Sequence, residues 1–171
     1  MDNFKKADLS TLSKYVVLYF NSHGISVTPL KLQKVLYYIQ AWHLVFFKKR
    51  NLFEELPQAW VNGPVYRTVY NKYKNRFYKD DTINALKDGD DAIELLNITK
   101  DKLKLDEKQH SLIEAILKSY GVLSSEKLVF MTHREDPWNI ARKDYKPMQR
   151  CEEVISTDMM FDFYSKNRIN G

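Results

Sequence analysis

Four histidines and one cysteine are the side chains of this sequence best suited to catalysis or metal binding. A zinc metalloprotease needs two histidines one helical turn apart, so that both imidazoles face one ion. His23, His43, His110 and His133 are scattered without that spacing. His43 falls inside a greasy helix, where it reads as a core histidine bonded to a neighbour. Cys151 stands alone, which excludes an intramolecular disulfide framework and any thiolate cluster built from one chain. With no activating neighbour in view it reads as an inert thiol. His133-Arg134-Glu135-Asp136 comes near a kinase catalytic loop, but the extra glutamate breaks the register and the partner motifs are missing. No glycine-rich phosphate loop of the P-loop or Rossmann type occurs. Asp88-Gly89-Asp90-Asp91 has its glycine misplaced for a calcium loop and lacks the closing glutamate. No active site assembles from these residues, so the expectation is a protein that is not an enzyme, with no cofactor and no metal.

The chain that must position any other kind of site has 171 residues and suits one domain, 1–171. Folding at that length buries roughly 70% of the unfolded surface, enough for a core without staples. Five glycines and five prolines are few, and 44% of residues are hydrophobic, which excludes fibrous and disordered classes. Residues 1–6 carry no apolar run of signal-peptide length. The greasiest stretch, 35–47, is interrupted by Gln40 and His43 and is shorter than the ~20 residues that span a bilayer. A cytoplasmic protein with no membrane partner is expected. Lys and Arg number 27 against 22 Asp and Glu, a mild excess unevenly placed. Residues 66–79 hold Arg67, Lys72, Lys74, Arg76 and Lys79 with no acid among them, whereas seven acids against two lysines occupy 80–101. Such asymmetry can orient a partner electrostatically.

Hydrophobic spacing predicts a mainly α protein, a single compact helical domain with a small β-strand element. A first helix, 8–23, has Asp8 as cap, Leu9, Leu12, Val16, Tyr19 and Phe20 on one stripe, and Gly24 as stop. A second, 28–47, starts with Thr28 as cap and Pro29 at the first helical position. From Val35 it is apolar all round, the mark of a buried central helix. Lys31 and Lys34, near its start, read as ordinary solvated residues. A strand is expected at 58–62, ended by Gly63-Pro64, with a third helix over 64–77. The 80–105 segment shows only a turn at 88–91 and strand-like alternation at Leu103 and Leu105. Further helices are expected at 106–120 with Asp106 as cap, from Ser124 to near His133, from Pro137 through Arg142, and from a Thr157 cap to Lys166.

Taken in order, three segments carry a family resemblance. Thr28-Pro29-Leu30-Lys31-Leu32-Gln33-Lys34-Val35-Leu36-Tyr37-Tyr38, continuing to Trp42-His43, resembles the opening motif of the Panacea antitoxin domain, of the SocA-like and phage-associated GepA-like kind. Ala59-Trp60-Val61-Asn62-Gly63-Pro64-Val65 followed by Tyr70 is similar to its A-W-x-x-G-P-V-x-x-x-x-Y signature. The third is Leu128 through Thr132-His133-Arg134-Glu135-Asp136-Pro137-Trp138, ending in Ala141-Arg142. The resemblance covers about 8–142. Val61-Asn62 is less aromatic than usual before the glycine, and 80–105 matches nothing. As side chains, Thr28, Pro29, Lys31, Leu32, Gln33, Lys34, Tyr37, Trp42, Trp60, Gly63, Pro64, Val65, Tyr70, Pro137 and Trp138 read first as fold determinants, since large aromatics bury the most area. The resemblance implies an antitoxin of a two-gene toxin–antitoxin module. Its partner would be a cognate protein toxin encoded by a neighbouring gene, bound directly or delivered to a ClpXP-type protease.

The rival function is DNA binding, of phage or mobile-element origin. Two helices joined by residues 24–27 can mimic a helix-turn-helix, with Lys31, Gln33 and Lys34 at the start of a recognition helix. For a protein partner, the third helix offers the best surface. Tyr66, Tyr70, Tyr73 and Phe77 recur on one face, which either packs on the core or meets the toxin. Lys72, Arg76 and Lys79 lie off that stripe and face solvent either way, and Arg67 opens the same stretch. Tyrosine and arginine are frequent interface anchors. Reversing the charge of Lys72, Arg76 and Lys79 together is expected to weaken association with the toxin, more so at low salt, with little change in melting temperature. Titration of the folded triple variant at two ionic strengths checks this.

Overall fold

A computed structural model describes residues 4–77 and 81–168. Among them are eight helices and one two-stranded sheet, the mainly helical fold expected. The helix α2 (Pro29–Phe46) lies at the centre because it has almost no polar face to show to water. Thr28 caps it, accepting from the Lys31 amide at 3.2 Å, and Pro29 opens it. Every residue from Lys31 to Ala41 is buried. Around it pack α1 (Leu9–Ser22), α3 (Arg67–Phe77), α5 (Glu107–Tyr120), α6 (Ser125–His133) and α8 (Thr157–Asn167). Asp8 caps α1 and Asp106 caps α5 as expected, and the structure adds a full capping box of Asp106 with Gln109. Ser156, rather than Thr157, caps α8. The short α7 (Asp136–Ala141) opens with Pro137 in its first turn and contacts α8. No helix among the described residues is long and apolar enough to cross a membrane.

Two regions differ from expectation. The strand at 58–62 is shorter and has a partner. β1 (Gln58–Trp60) turns at Val61-Asn62 into the antiparallel β2 (Gly63–Val65), with Ala59 opposite Pro64 and Trp60 opposite Gly63. Gly63-Pro64 therefore begins a strand instead of a helix, and α3 starts at Arg67. A fixed proline φ suits a helix start and a strand edge equally, so the dipeptide alone does not discriminate. The other edge of β1 is taken by the segment at 153–155, through Ala59 N to Glu153 O and Ile155 N to Pro57 O, both 2.8 Å. The second difference is α4 (Ala92–Lys102), a helix where only a turn and a strand-like alternation were legible. Asp91 caps it, accepting from the Ile93 and Glu94 amides at 3.1 Å. Its apolar residues hide no stripe, since Ile93 is 71% exposed and only Thr99 is buried. Leu103 and Leu105 are buried in a turn around Lys104, which has φ 53°, not in a strand.

The tryptophans divide. Trp138 is 8% exposed, stacks on His133 at 4.0 Å between ring centroids and donates to Trp60 O at 2.8 Å. Trp42 is half-buried, not enclosed as its place in the central helix suggested, and donates to Tyr120 Oη at 2.7 Å. Trp138→Ala is expected to cost about 3–5 kcal/mol and Trp42→Ala distinctly less. Urea unfolding of the two variants checks the order.

Candidate partner-binding site

The motif residues of α2 turn out to hold the hairpin. Gln33 Oε1 accepts from Tyr66 N at 2.8 Å while its Nε2 donates to Tyr66 O at 3.2 Å, the pair of hydrogen bonds a neighbouring strand would make. Lys34 is fully buried and donates from Nζ to Pro64 O at 2.9 Å. Burial pushes its ammonium down to about 7. Gly63 sits directly beside this side chain with φ 102°, and a Cβ there would fall 2.5 Å from Lys34 Cε and 2.8 Å from Thr132 Oγ1. Only glycine fits both the conformation and the space. Lys31 is also buried, donating to Gly121 O at 2.6 Å. The reading of Lys31 and Lys34 as solvated is thus corrected, and with it the helix-turn-helix: a recognition helix cannot present Lys31, Gln33 and Lys34 when all three face inward. From the opposite side Arg142, 4% exposed, donates to Ala59 O at 2.8 Å and to Gln149 O at 2.6 Å. All three motifs therefore meet at one short hairpin.

A second buried polar cluster ties α2 to the chain's C-terminal part. Glu135 occupies the cap position of α7 without capping it. Its carboxyl turns inward instead, accepting from Tyr38 Oη and lying 3.2 Å from Tyr164 Oη, which is 3.1 Å from Tyr37 Oη. Burial pushes the Glu135 carboxyl up to about 7, against the two tyrosine hydrogen bonds that favour its charge. In the sequence Glu135 interrupts a kinase-like loop and stands in the third family motif, and no periodicity pointed to its tyrosine partners.

The expected contact residues scatter over three environments. Tyr66 is wholly buried against Phe53, rings 5.1 Å apart, and is no surface residue, because β2 and Gln33 draw its backbone into the core. Tyr73 is half-buried against the core, with Lys72 exposed above its ring. Lys79 and the side chains of Arg76 and Phe77 lie outside the described residues. Arg67 and Tyr70 do come together. The guanidinium of Arg67 sits over the Trp60 ring at 4.7 Å, and Tyr70 meets the same ring edge-on at 4.7 Å. They line a surface cleft of about 420 Å³ with Val61, Asn62, Val65, Met148, Arg150 and Cys151. Cys151 is buried at its floor, whereas Met148 is 82% exposed. Met148 and Arg150 carried no signal in the sequence, since they come from an irregular segment brought to the hairpin by tertiary contacts such as Arg142 with Gln149 O and Ala59 N with Glu153 O.

Glu135 makes stability pH-dependent with a definite sign. Between its ordinary value of 4.5 and about 7 the folded chain holds a proton that the unfolded chain has released. Folding stability therefore falls as pH rises through that window, by up to about 3 kcal/mol. Glu135→Gln keeps an acceptor for both tyrosines and is expected to flatten the slope, as denaturant midpoints at pH 4.5, 6 and 7.5 will show.

Comparison with known proteins agrees with this assembly. The family described as Antitoxin SocA-like, Panacea domain, matches residues 32–139, from α2 through the hairpin to α7. The matched stretch is narrower than the 8–142 suggested by the motifs; it includes the hairpin with Gln33 and Lys34 and ends just before Arg142. No curated protein and no solved structure matches the chain. With nearly two-thirds of its length matched, the chain belongs to the SocA-like antitoxin family by its Panacea domain.

Proposed function

We propose that this protein is an antitoxin that neutralises a cognate protein toxin, encoded by a neighbouring gene, by direct and non-catalytic binding. The observation that carries the proposal is the family match, which spans the hairpin and the α2 side chains that hold it. Function enters through that membership, because a fold alone hosts many activities. The architecture supports a binding role in a second way. Its polar side chains of unusual environment, Lys34, Glu135 and Arg142, are consumed in holding backbone and tyrosines inside the molecule. Cys151 is buried at the floor of the cleft, with no histidine among the described residues that line it.

Expression of the neighbouring gene's product should arrest growth, and co-expression of this chain should restore it. The purified pair should form a stable complex by size-exclusion chromatography. Cys151→Ser should rescue growth as well as the wild type, since no thiol chemistry is involved. Rescue in a host lacking the ClpXP-type protease separates occlusion from delivery: occlusion predicts that rescue persists there. Failure of both rescue and complex formation would overturn the antitoxin assignment.

A further inference from the structure

The cleft beside the hairpin has a chemistry that selects its occupant. Its walls are apolar and aromatic, from Trp60, Val65, Tyr70 and Met148, and its charged lining residues, Arg67 and Arg150, are both cationic. Both guanidiniums pair with one oxygen of one carboxylate, Glu152 Oε1, Arg150 at 2.8 Å and Arg67 closer still. The two guanidiniums share a single carboxylate oxygen, and both charged side chains that line the cleft are cations. Around the cleft, Lys143, Lys146 and the exposed Lys72 and Lys74 of α3 stand against Asp144, Glu153 and Glu55. The side chains of Arg150 and Glu152 are 82% and 45% exposed, so the pair is a surface contact of small worth that exchanges at little cost. Arginine's fork of five donors suits a second carboxylate in the same plane.

We infer that the cleft receives a segment of the toxin in which an acidic residue lies next to a large apolar one, the apolar side chain entering against Trp60, Tyr70 and Met148 while the carboxylate takes the place of Glu152 on Arg67 and Arg150. The inference rests on the antitoxin assignment and adds the chemistry of the contact. Glu152 then acts as a built-in placeholder that keeps the arginines extended across the cleft mouth. A second copy of this chain is the less suitable occupant. Its exposed Ile93 is followed by exposed Glu94 on α4, a pair of this kind, but that contact would be head-to-tail and would build rings or filaments of this chain instead of a closed pair.

The test titrates the purified product of the neighbouring gene against wild type, Arg150→Glu, Met148→Asp and Glu152→Gln, each with an unchanged thermal midpoint. Arg150→Glu and Met148→Asp should each weaken binding at least about tenfold. Glu152→Gln, which removes the internal competitor, should tighten it several-fold at low salt. Overlapping peptides tiled along the toxin should then give a binding segment with the acidic–apolar pair, and replacing its acid by lysine should restore binding to Arg150→Glu. Wild-type affinity in Arg150→Glu and Met148→Asp, or no tightening in Glu152→Gln, overturns the inference while leaving the antitoxin assignment standing. Loss of self-association in Arg150→Glu, with toxin binding intact, assigns the cleft to a second copy and overturns it as well. Absence of any wild-type complex removes both.

Discussion

The hairpin of this protein is too short to stand alone, and everything near the candidate site depends on the two side chains that reach it from α2. Three residues per strand make few ladder bonds, and an isolated two-stranded hairpin is at best marginal in water. Gln33 completes the β2 side by bonding both backbone groups of Tyr66, and Lys34 satisfies Pro64 O, which has no strand to pair with. Arg142 and the 153–155 segment close the other edge. With both edges satisfied, the hairpin becomes rigid enough to present Trp60 as the wall shared by Arg67 and Tyr70. Chains of this kind invest their polar side chains in backbone, as buried carbonyls and amides demand partners.

How much of this was legible depended on whether the signal was local. Caps and stops are local, so Asp8, Thr28-Pro29 and Asp106 placed their helices to within a residue. The all-round apolar run of α2 rightly predicted the centre of the core. α4 escaped because it packs on α1 with one buried residue and two exposed isoleucines, leaving no periodic stripe to read. Lys31 and Lys34 were misjudged for a different reason. A lysine is buried only when a carbonyl waits for it, and those carbonyls, Gly121 O and Pro64 O, lie 90 and 30 residues away. The candidate cleft was half visible: Arg67 and Tyr70 belong to a stretch rich in interface residue types, whereas Met148, Arg150 and Glu152 reach it through tertiary contacts alone.

The side chains that identify the family are mostly those that face inward. Lys34, Gly63, Pro64 and Trp138 are buried, and their chemistry is spent on one another. The motifs therefore describe mostly a scaffold, to which Trp60, Val65 and Tyr70 of the cleft belong, whereas Met148 and Arg150 lie beyond the matched stretch. In such an arrangement partner choice can change by substitution at positions such as 148 and 150 without touching the clamps that keep the hairpin in place.

Lys34 and Glu135 give the interior an unusual acid–base character when taken together. Lys34 is held down to about 7 and Glu135 up to about 7, by burial in each case. Above about 7 the unfolded chain keeps the lysine proton that the folded chain gives up, so this group adds stability as pH rises toward 10.5, opposite in sign to Glu135 below neutrality. The amine donates to Pro64 O in either protonation state, so the hairpin keeps its anchor throughout. Neutral pH is thus where the two buried groups together weigh most against folding, a trough in the stability profile set by two side chains near the two ends of the family's matched stretch.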